Sequence, residues 1–508
     1  MSAAAYLAID LGAESGRAIV GRFDGERLQI EELHRFANIP VRLPDGLHWD
    51  ALALFRQACT GIANAVRRGP LESVAIDAWA VDFGLLDRER SLLGAPFHYR
   101  DERTIGMVER AAAQIPPDLI YATTGIQVMR YNTLYQLMAM AGSAQLDAAE
   151  TLLLMPDLIG FWATGELATE RTNASTTQLL DVTTGDWAWE LVDRLSVPER
   201  LLAPTRDPGT ALGSLNADLA RELGLATTPR FVHAASHDTA SAVVAVPAQG
   251  NNWAYISSGT WSLVGVELDR PELGELAREH NFTNELGFDG RVRFLKNVMG
   301  LWLLQECRRA WRRAGEDLGY DQLTAAAARC ETDALIDPDD ERFSLPGDIP
   351  ARIGAYCREH GHPGPAGIGE TVRCIFDSLA CKYRLVLERL EQITGRPIER
   401  VHVVGGGASN PLLCQLSADV TGRLVFAGPD EASALGNVLV QAYAAGRVAS
   451  LAEMRDVVRR SHRPTPYEPR EHERRQWNER YRHFTALIDD ASPTEKFLAP
   501  IETQEQLS

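Results

Sequence analysis

The segment ASHDTAS at 235–241 sets a polar cluster between two apolar runs, 231–234 and 242–246. Ser, His and Asp in a row evoke a hydrolase triad. Adjacent residues on a strand point to opposite faces, however, so Ser236, His237 and Asp238 cannot line up as a proton chain. A single general base, Asp238, at the end of a buried strand fits the pattern better. Two turns carry a second kind of chemistry. In DLGAESGR at 10–17 an apolar run ends on Asp10 and Gly12 and bends through small residues. Such a bend turns backbone N–H groups towards phosphate oxygens, while the carboxylate can hold a hydrated Mg²⁺. A plain β-hairpin turn would look the same. SSGTW at 257–261 repeats the arrangement in the second half. A third element, VHVVGGGASN at 401–410, puts glycines between a buried strand and a helix N-terminus. A phosphate or a flat ring can approach such a backbone closely, although helix–strand packing asks for the same small residues. Its spacing is not that of a dinucleotide fingerprint.

These groups need elements to hold them. The start of the chain reads as strands over 6–12, 17–23 and 28–36, a helix over 49–68, and short strands over 74–79 and 81–87. Three antiparallel strands, a helix and a further strand is the order of a ribonuclease-H-like sheet. The pattern restarts with strands over 253–257, 261–268 and 291–297 and a helix over 298–314. A long helix follows over 371–394, with Gly395 as its stop. Then come a strand over 401–404, a helix opened by Ser409 and Pro411, a strand over 423–427 and a helix over 431–445. Both halves begin strand–Gly turn–strand, which favours a duplicated α/β fold over two unrelated domains. The seam falls near 247–252, and the polar tail from Asp490 reads as mobile.

Composition narrows the function. The chain has 508 residues and a net charge of −18, which argues against nucleic-acid or anionic-membrane partners. No uncharged run is apolar enough to span a bilayer, and the N-terminus lacks a signal-peptide pattern. Seven scattered cysteines do not make a secreted scaffold, so a cytoplasmic protein is expected. Lysine occurs only at Lys296, Lys382 and Lys496, none of them after glycine, so there is no P-loop. His360 and His362, set among glycines and proline, read as a surface loop rather than a metal pair.

The motifs together resemble the FGGY family of carbohydrate kinases, of the actin-like, hexokinase-like ATPase superfamily, from Ala8 to about Arg459. The resemblance is carried by DLGAESGR, AWAVDFGLLD, GIQVMRYNTLYQL, TNASTTQLL, SHDTASAV, SSGTWSLVG, FTNE, LKNVMGLWLLQE, VHVVGGGASN and ASALGN. It implies two ribonuclease-H-like domains with a cleft between them: 1–248 with the sugar site, 249–465 for the nucleotide, and a C-terminal extension over 466–508. It further implies ATP-dependent phosphorylation of L-rhamnulose at its 1-hydroxyl, with Mg²⁺, in L-rhamnose catabolism. Asp238 would be the base. His237, Thr239, Asp82 and Asn297 would line the sugar, beside the backbone at Ala80. Ala13, Glu14, Ser15, Gly16 and Arg17 would cradle the phosphates, joined by Thr260. Gln305, Gly405, Gly406 and Gly407 would touch the nucleotide, and Asp10 would hold Mg²⁺ through water.

Three positions depart from or add to the pattern. Ala80 replaces the family's sugar-site glycine, which keeps open a kinase for another ketose or hydroxyketone, such as L-fuculose or a xylulose-like sugar. Glu14 stands where relatives carry a small residue, and is expected to face Mg²⁺, Arg17 or solvent. Cys357 and Cys374 fall where similar members carry a cysteine pair able to bridge, although free thiols are the default in a reducing cytosol. A non-catalytic sugar sensor or an actin-like assembling ATPase is the rival from another class, and the intact Asp238 argues against it. The partner is a small sugar, and the state a monomer or small homo-oligomer.

Overall fold

The computed structural model describes residues 3–489; the expected mobile tail lies outside them. Ala4–Leu11 (β1) is buried at every position except Ala5 because both of its faces are covered. It pairs antiparallel with Ser15–Phe23 (β2), which pairs antiparallel with Leu28–Ala37 (β3). Ala51–Arg68 (α1) starts on Asp50, whose carboxylate accepts the Ala53 N–H, and ends on Arg67 and Arg68, favourable at a helix C-terminus. Ser73–Ala78 (β4) returns parallel to β1 and sets Asp77 beside Asp10. Ala211–Ser214 (β5) and Arg230–Val232 (β6) complete a sheet of order β3-β2-β1-β4-β6-β5. Asp238–Val244 (α2) follows β6.

The second half repeats this plan. Trp253–Ser258 (β7) and Trp261–Leu268 (β8) form the opening hairpin, flanked by Thr283–Leu286 (β9) and Val292–Met299 (β10). Trp302–Arg313 (α3) and Ile368–Thr394 (α4) come next; α4 ends at Gly395, whose φ of 65° is in the left-handed region that glycine tolerates. Arg400–Val404 (β11), Pro411–Thr421 (α5), Leu424–Ala427 (β12), Ala432–Ala444 (α6) and Thr465–Tyr467 (β13) close the unit. The sheet runs β9-β10-β8-β7-β11-β12-β13. Within the two sheets, β3-β2-β1-β4-β6 and β10-β8-β7-β11-β12 have the same succession of two antiparallel and two parallel pairings. The duplicated ribonuclease-H-like fold is present.

Several boundaries differ from the sequence reading, each for a local reason. Val298 and Met299 belong to β10, paired with Ser262 and Trp261, so α3 starts only at Trp302. Asn410, not Ser409, caps α5, because its side chain accepts the Leu413 N–H. The stretch expected as a strand over 81–87 forms Phe83–Leu86, which leaves the main sheet to pair with Thr151–Leu154. Helix α6 comes from the second half of the sequence yet packs on the first sheet. Gln441 Nε2 donates to Leu7 O at 3.0 Å, and Asn437 Nδ2 to Asp77 Oδ2 at 2.6 Å. Gly436 makes this possible, since a Cβ there would lie 1.7 Å from Ser241 O on α2.

Candidate active site

One cleft of about 1050 Å³ runs between the halves. The two glycine turns face each other across it. In the first, Gly12 N donates to Ser15 O at 3.0 Å, and Asn38 braces the bend by donating Nδ2 to Gly12 O and its backbone N–H to Glu14 O. The N–H groups of Ala13 and Glu14 have no protein acceptor among the described residues, so they are available to an anion. In the second turn Gly259 N donates to Trp261 O at 2.8 Å, and Gln305 Nε2 reaches Thr260 Oγ1 at 3.3 Å. Ala13, Glu14, Ser15, Arg17, Thr260, Gln305, Gly405 and Gly406 all line the cleft, as does Asp10. Arg17 is held by Asp10 at 3.3 Å and by Glu431.

Two expected nucleotide contacts lie elsewhere. Gly16 sits within β2 under Phe36, where a Cβ would fall 2.3 Å from the ring. Gly407 is pressed on Ser258, whose Oγ would be 2.0 Å from a Cβ. Neither lines the cleft; both are small because of packing. Glu14 does not pair with Arg17; its side chain is partly exposed to solvent and pairs with Arg309 of α3, Nη2 to Oε1 at 3.0 Å.

Asp238 is the first residue of α2, capped by His237, rather than the last residue of a strand. Its carboxylate therefore sits at a helix N-terminus, which favours negative charge. Oδ1 accepts the Thr239 N–H at 2.5 Å and the Thr239 hydroxyl at 3.2 Å, and lies 3.4 Å from His237 Nε2. Oδ2 has no protein partner among the described residues. Burial raises the Asp238 pKa, opposed by His237 and reinforced by the charge of Asp10. The loop is anchored from below by Glu170, a residue the sequence reading missed; its Oε2 accepts from Ser236 N at 2.9 Å and Ser236 Oγ at 2.8 Å. Neighbouring Asp77 is fully buried, and burial followed by the charge of Asp10 raises it well above its ordinary value.

His237, Thr239, Ala80 and Asn297 line the same cleft as Asp238. Asn297 is fixed by Gln127, whose Oε1 accepts its backbone N–H at 2.8 Å. Ala80 precedes Val81, a β-branched residue at φ 68°, a strained conformation held by Thr133 Oγ1 donating to Val81 O at 2.7 Å. Asp82 does not reach the cleft. It is 1% exposed and accepts from Trp49 Nε1 at 2.6 Å, Trp79 Nε1 at 3.0 Å, Gln136 Nε2 at 2.9 Å and Tyr99 N at 3.2 Å. Burial pushes it up to about 6 against those four donors. Asp82 anchors the loop behind the site and is not among the residues lining the cleft. Cys357 and Cys374 are remote from the cleft, both buried, and unbridged in the structure.

The comparisons bear on the family and the fold. The model of the N-terminal domain of the FGGY family of carbohydrate kinases matches residues 5–245, and that of the C-terminal domain residues 254–445. A rhamnulokinase of Bacteroides thetaiotaomicron is 42% identical over 487 residues, covering 95% of this chain and 99% of the relative. One of Pectobacterium carotovorum is 44% identical over 468 residues, covering 91% and 92%. Gluconate kinase from Lactobacillus acidophilus superposes with a TM-score of 0.78 at 15% identity, over 98% of this chain and 100% of that one. Plasmodium falciparum glycerol kinase with ADP gives 0.73 at 14%, over 96% and 98%; these two likenesses bear on the fold. With a family domain matched in each half and the duplicated sheets closing on one cleft, the chain belongs to the FGGY family of carbohydrate kinases.

Proposed function

We propose that the chain transfers the γ-phosphoryl group of ATP to the 1-hydroxyl of L-rhamnulose, as a rhamnulokinase acting in L-rhamnose catabolism. The observation that carries the reading is a single cleft holding Asp238, with its free Oδ2, together with His237, Thr239, Asn297 and both glycine turns. The rhamnulokinases at 42% and 44% identity support the choice of sugar.

In this reading Asp238 Oδ2 takes the proton as the hydroxyl oxygen attacks the γ-phosphorus; the new O–P bond forms as the bond to the β-phosphate oxygen breaks, and ADP leaves. The unpaired N–H groups of Ala13 and Glu14 and the turn at Thr260 hold the phosphate oxygens. His237, Thr239 and Asn297 orient the sugar, and the walls of the cleft exclude water that would compete for the phosphoryl group.

A divalent cation fits the residues present. Asp10 and Asp238 crowd negative charge around the buried, unpartnered Asp77 Oδ1, and Asp10 opens on the cleft beside the phosphate turn. No cluster of three direct donors occurs among the described residues, so Asp10 would hold Mg²⁺ through water. When bound, Mg²⁺ would neutralise phosphate charge.

Release of ADP, measured by a coupled assay over a panel of ketoses, tests the proposal. Preference for L-rhamnulose supports it. Preference for L-fuculose or a xylulose-like sugar moves the assignment to another ketose, the outcome that Ala80 would then explain.

A further inference from the structure

The motif FTNE at 282–285 ends on a carboxylate that none of the steps above uses. Glu285 is the third residue of β9, and Arg293 is its register partner on β10. Both are in the second half of the chain, yet their side chains reach the 235–241 loop of the first. Arg293 is fully buried, Glu285 is 3% exposed and His237 is 5% exposed. Arg293 Nη1 lies 3.1 Å from Glu285 Oε2, and Nη2 lies 3.1 Å from His237 Nδ1. Glu285 Oε2 is 3.3 Å from the same ring nitrogen. On the other side of the ring, His237 Nε2 is 3.4 Å from Asp238 Oδ1.

A guanidinium has no lone pair and only donates. Arg293 beside Nδ1 therefore places the proton of a neutral imidazole on Nε2, facing Asp238. If the ring takes a second proton, the new Nδ1–H faces Glu285 Oε2 and Nε2 keeps its own. In either state Nε2 carries a proton, on the side of the ring 3.4 Å from Asp238 Oδ1. Oδ1 thus accepts both donors of Thr239 and faces the imidazole, while Oδ2 has no partner among the described residues and is the more basic oxygen. Burial alone would raise the Glu285 pKa, but the adjacent charge of Arg293 outweighs it and holds Glu285 below its ordinary value. Glu285 is thus a stable anion that balances Arg293.

We propose that Glu285 and Arg293 are positioning residues for phosphoryl transfer: through His237 they fix the Asp238 carboxylate so that Oδ2 alone faces the acceptor hydroxyl. The inference rests on Asp238 being the base. It also means that the base is fully oriented only where the β9–β10 edge of the second half meets the loop of the first.

The test is steady-state kinetics on Glu285→Gln and Arg293→Lys, each alone and combined with Asp238→Asn, with thermal melts as the check of folding. Glu285→Gln keeps the side chain's size and removes its charge. The expected result is a fall in kcat of about tenfold or more, with KM for sugar and ATP changed less than about threefold. In the Asp238→Asn background the same changes should lower the residual rate no further, because their effect passes through Asp238. An unchanged kcat, a loss confined to sugar KM, or a full multiplicative loss in that background overturns the inference while leaving the base assignment standing. Near-normal turnover of Asp238→Asn alone overturns both. Should Glu285→Gln melt below the assay temperature, Arg293→Lys and Glu285→Asp carry the same comparison.

Discussion

Glu14 and Arg309 bridge the two halves of the molecule: Arg309 Nη2 donates to Glu14 Oε1 at 3.0 Å across 295 positions of sequence. The pair answers a difficulty posed by the sequence, a carboxylate in a turn meant for a triphosphate. Arg309 offsets the charge of that carboxylate, and the same arginine also pairs with Glu306 on its own helix.

Removing the two partners should therefore have unequal effects. The side chains are 44% and 40% exposed, so the pair itself contributes about 1 kcal/mol or less to stability. Arg309→Ala leaves Glu14 free to repel the phosphates, and KM for ATP is expected to rise by about threefold to tenfold. Glu14→Ala should leave KM for ATP within about twofold, and adding it to Arg309→Ala should restore the parent value. Equal losses from both single variants would mean that the pair acts by holding the halves together.

The pH dependence follows from Asp238. Only the carboxylate can accept the hydroxyl proton, and burial, partly opposed by His237, raises its pKa from the ordinary value. Activity is thus lost as pH falls through the raised pKa, and recovered as pH rises. The acid limb of the profile of kcat/KM for the sugar is expected above the free-aspartate value of about 3.9. A limb at or below that value would contradict the buried setting of Asp238.

Asp82 is expected to matter for stability rather than for sugar affinity. Asp82→Ala strands the indole N–H groups of Trp49 and Trp79 and the backbone N–H of Tyr99 in the core. Each orphaned donor costs about 1–3 kcal/mol. Thermal denaturation should show a large fall in Tm, while KM for the sugar, measured well below that Tm, stays within about threefold. A sugar KM that rises strongly in a variant of normal Tm would return Asp82 to the sugar site.

What was legible in the sequence was what sits close together in the chain. The two turns, the 235–241 cluster and the duplicated strand order can be read locally, because strand periodicity and glycine punctuation are local signals. Partners from distant segments are invisible that way. Glu285 and Arg293 meet His237, and Arg309 meets Glu14, only after two sheets have folded and closed on each other. Asp82 shows the opposite error. A carboxylate two residues beyond Ala80 reads as a sugar ligand, but the tight turn at Val81, where Asp82 N donates to Ala80 O at 2.9 Å, takes it into the core. The resemblance implies Gly16 at the phosphates and Gly407 at the nucleotide, but a glycine needed for packing looks in sequence like a glycine needed for a ligand.

Cys357 and Cys374 are unbridged thiols in the structure, buried where an oxidant has little access. The chain denatured and alkylated before reduction should have the same mass as the chain alkylated after it. A mass difference corresponding to the missing labels would mean that the pair bridges.

The central claim, that Asp238 is the base for phosphorylation of L-rhamnulose, is tested most directly by the turnover of Asp238→Asn with ATP and that sugar. The expected result is a fall in kcat of at least about 10²-fold with ATP binding nearly unchanged. Near-normal turnover in that variant would contradict it.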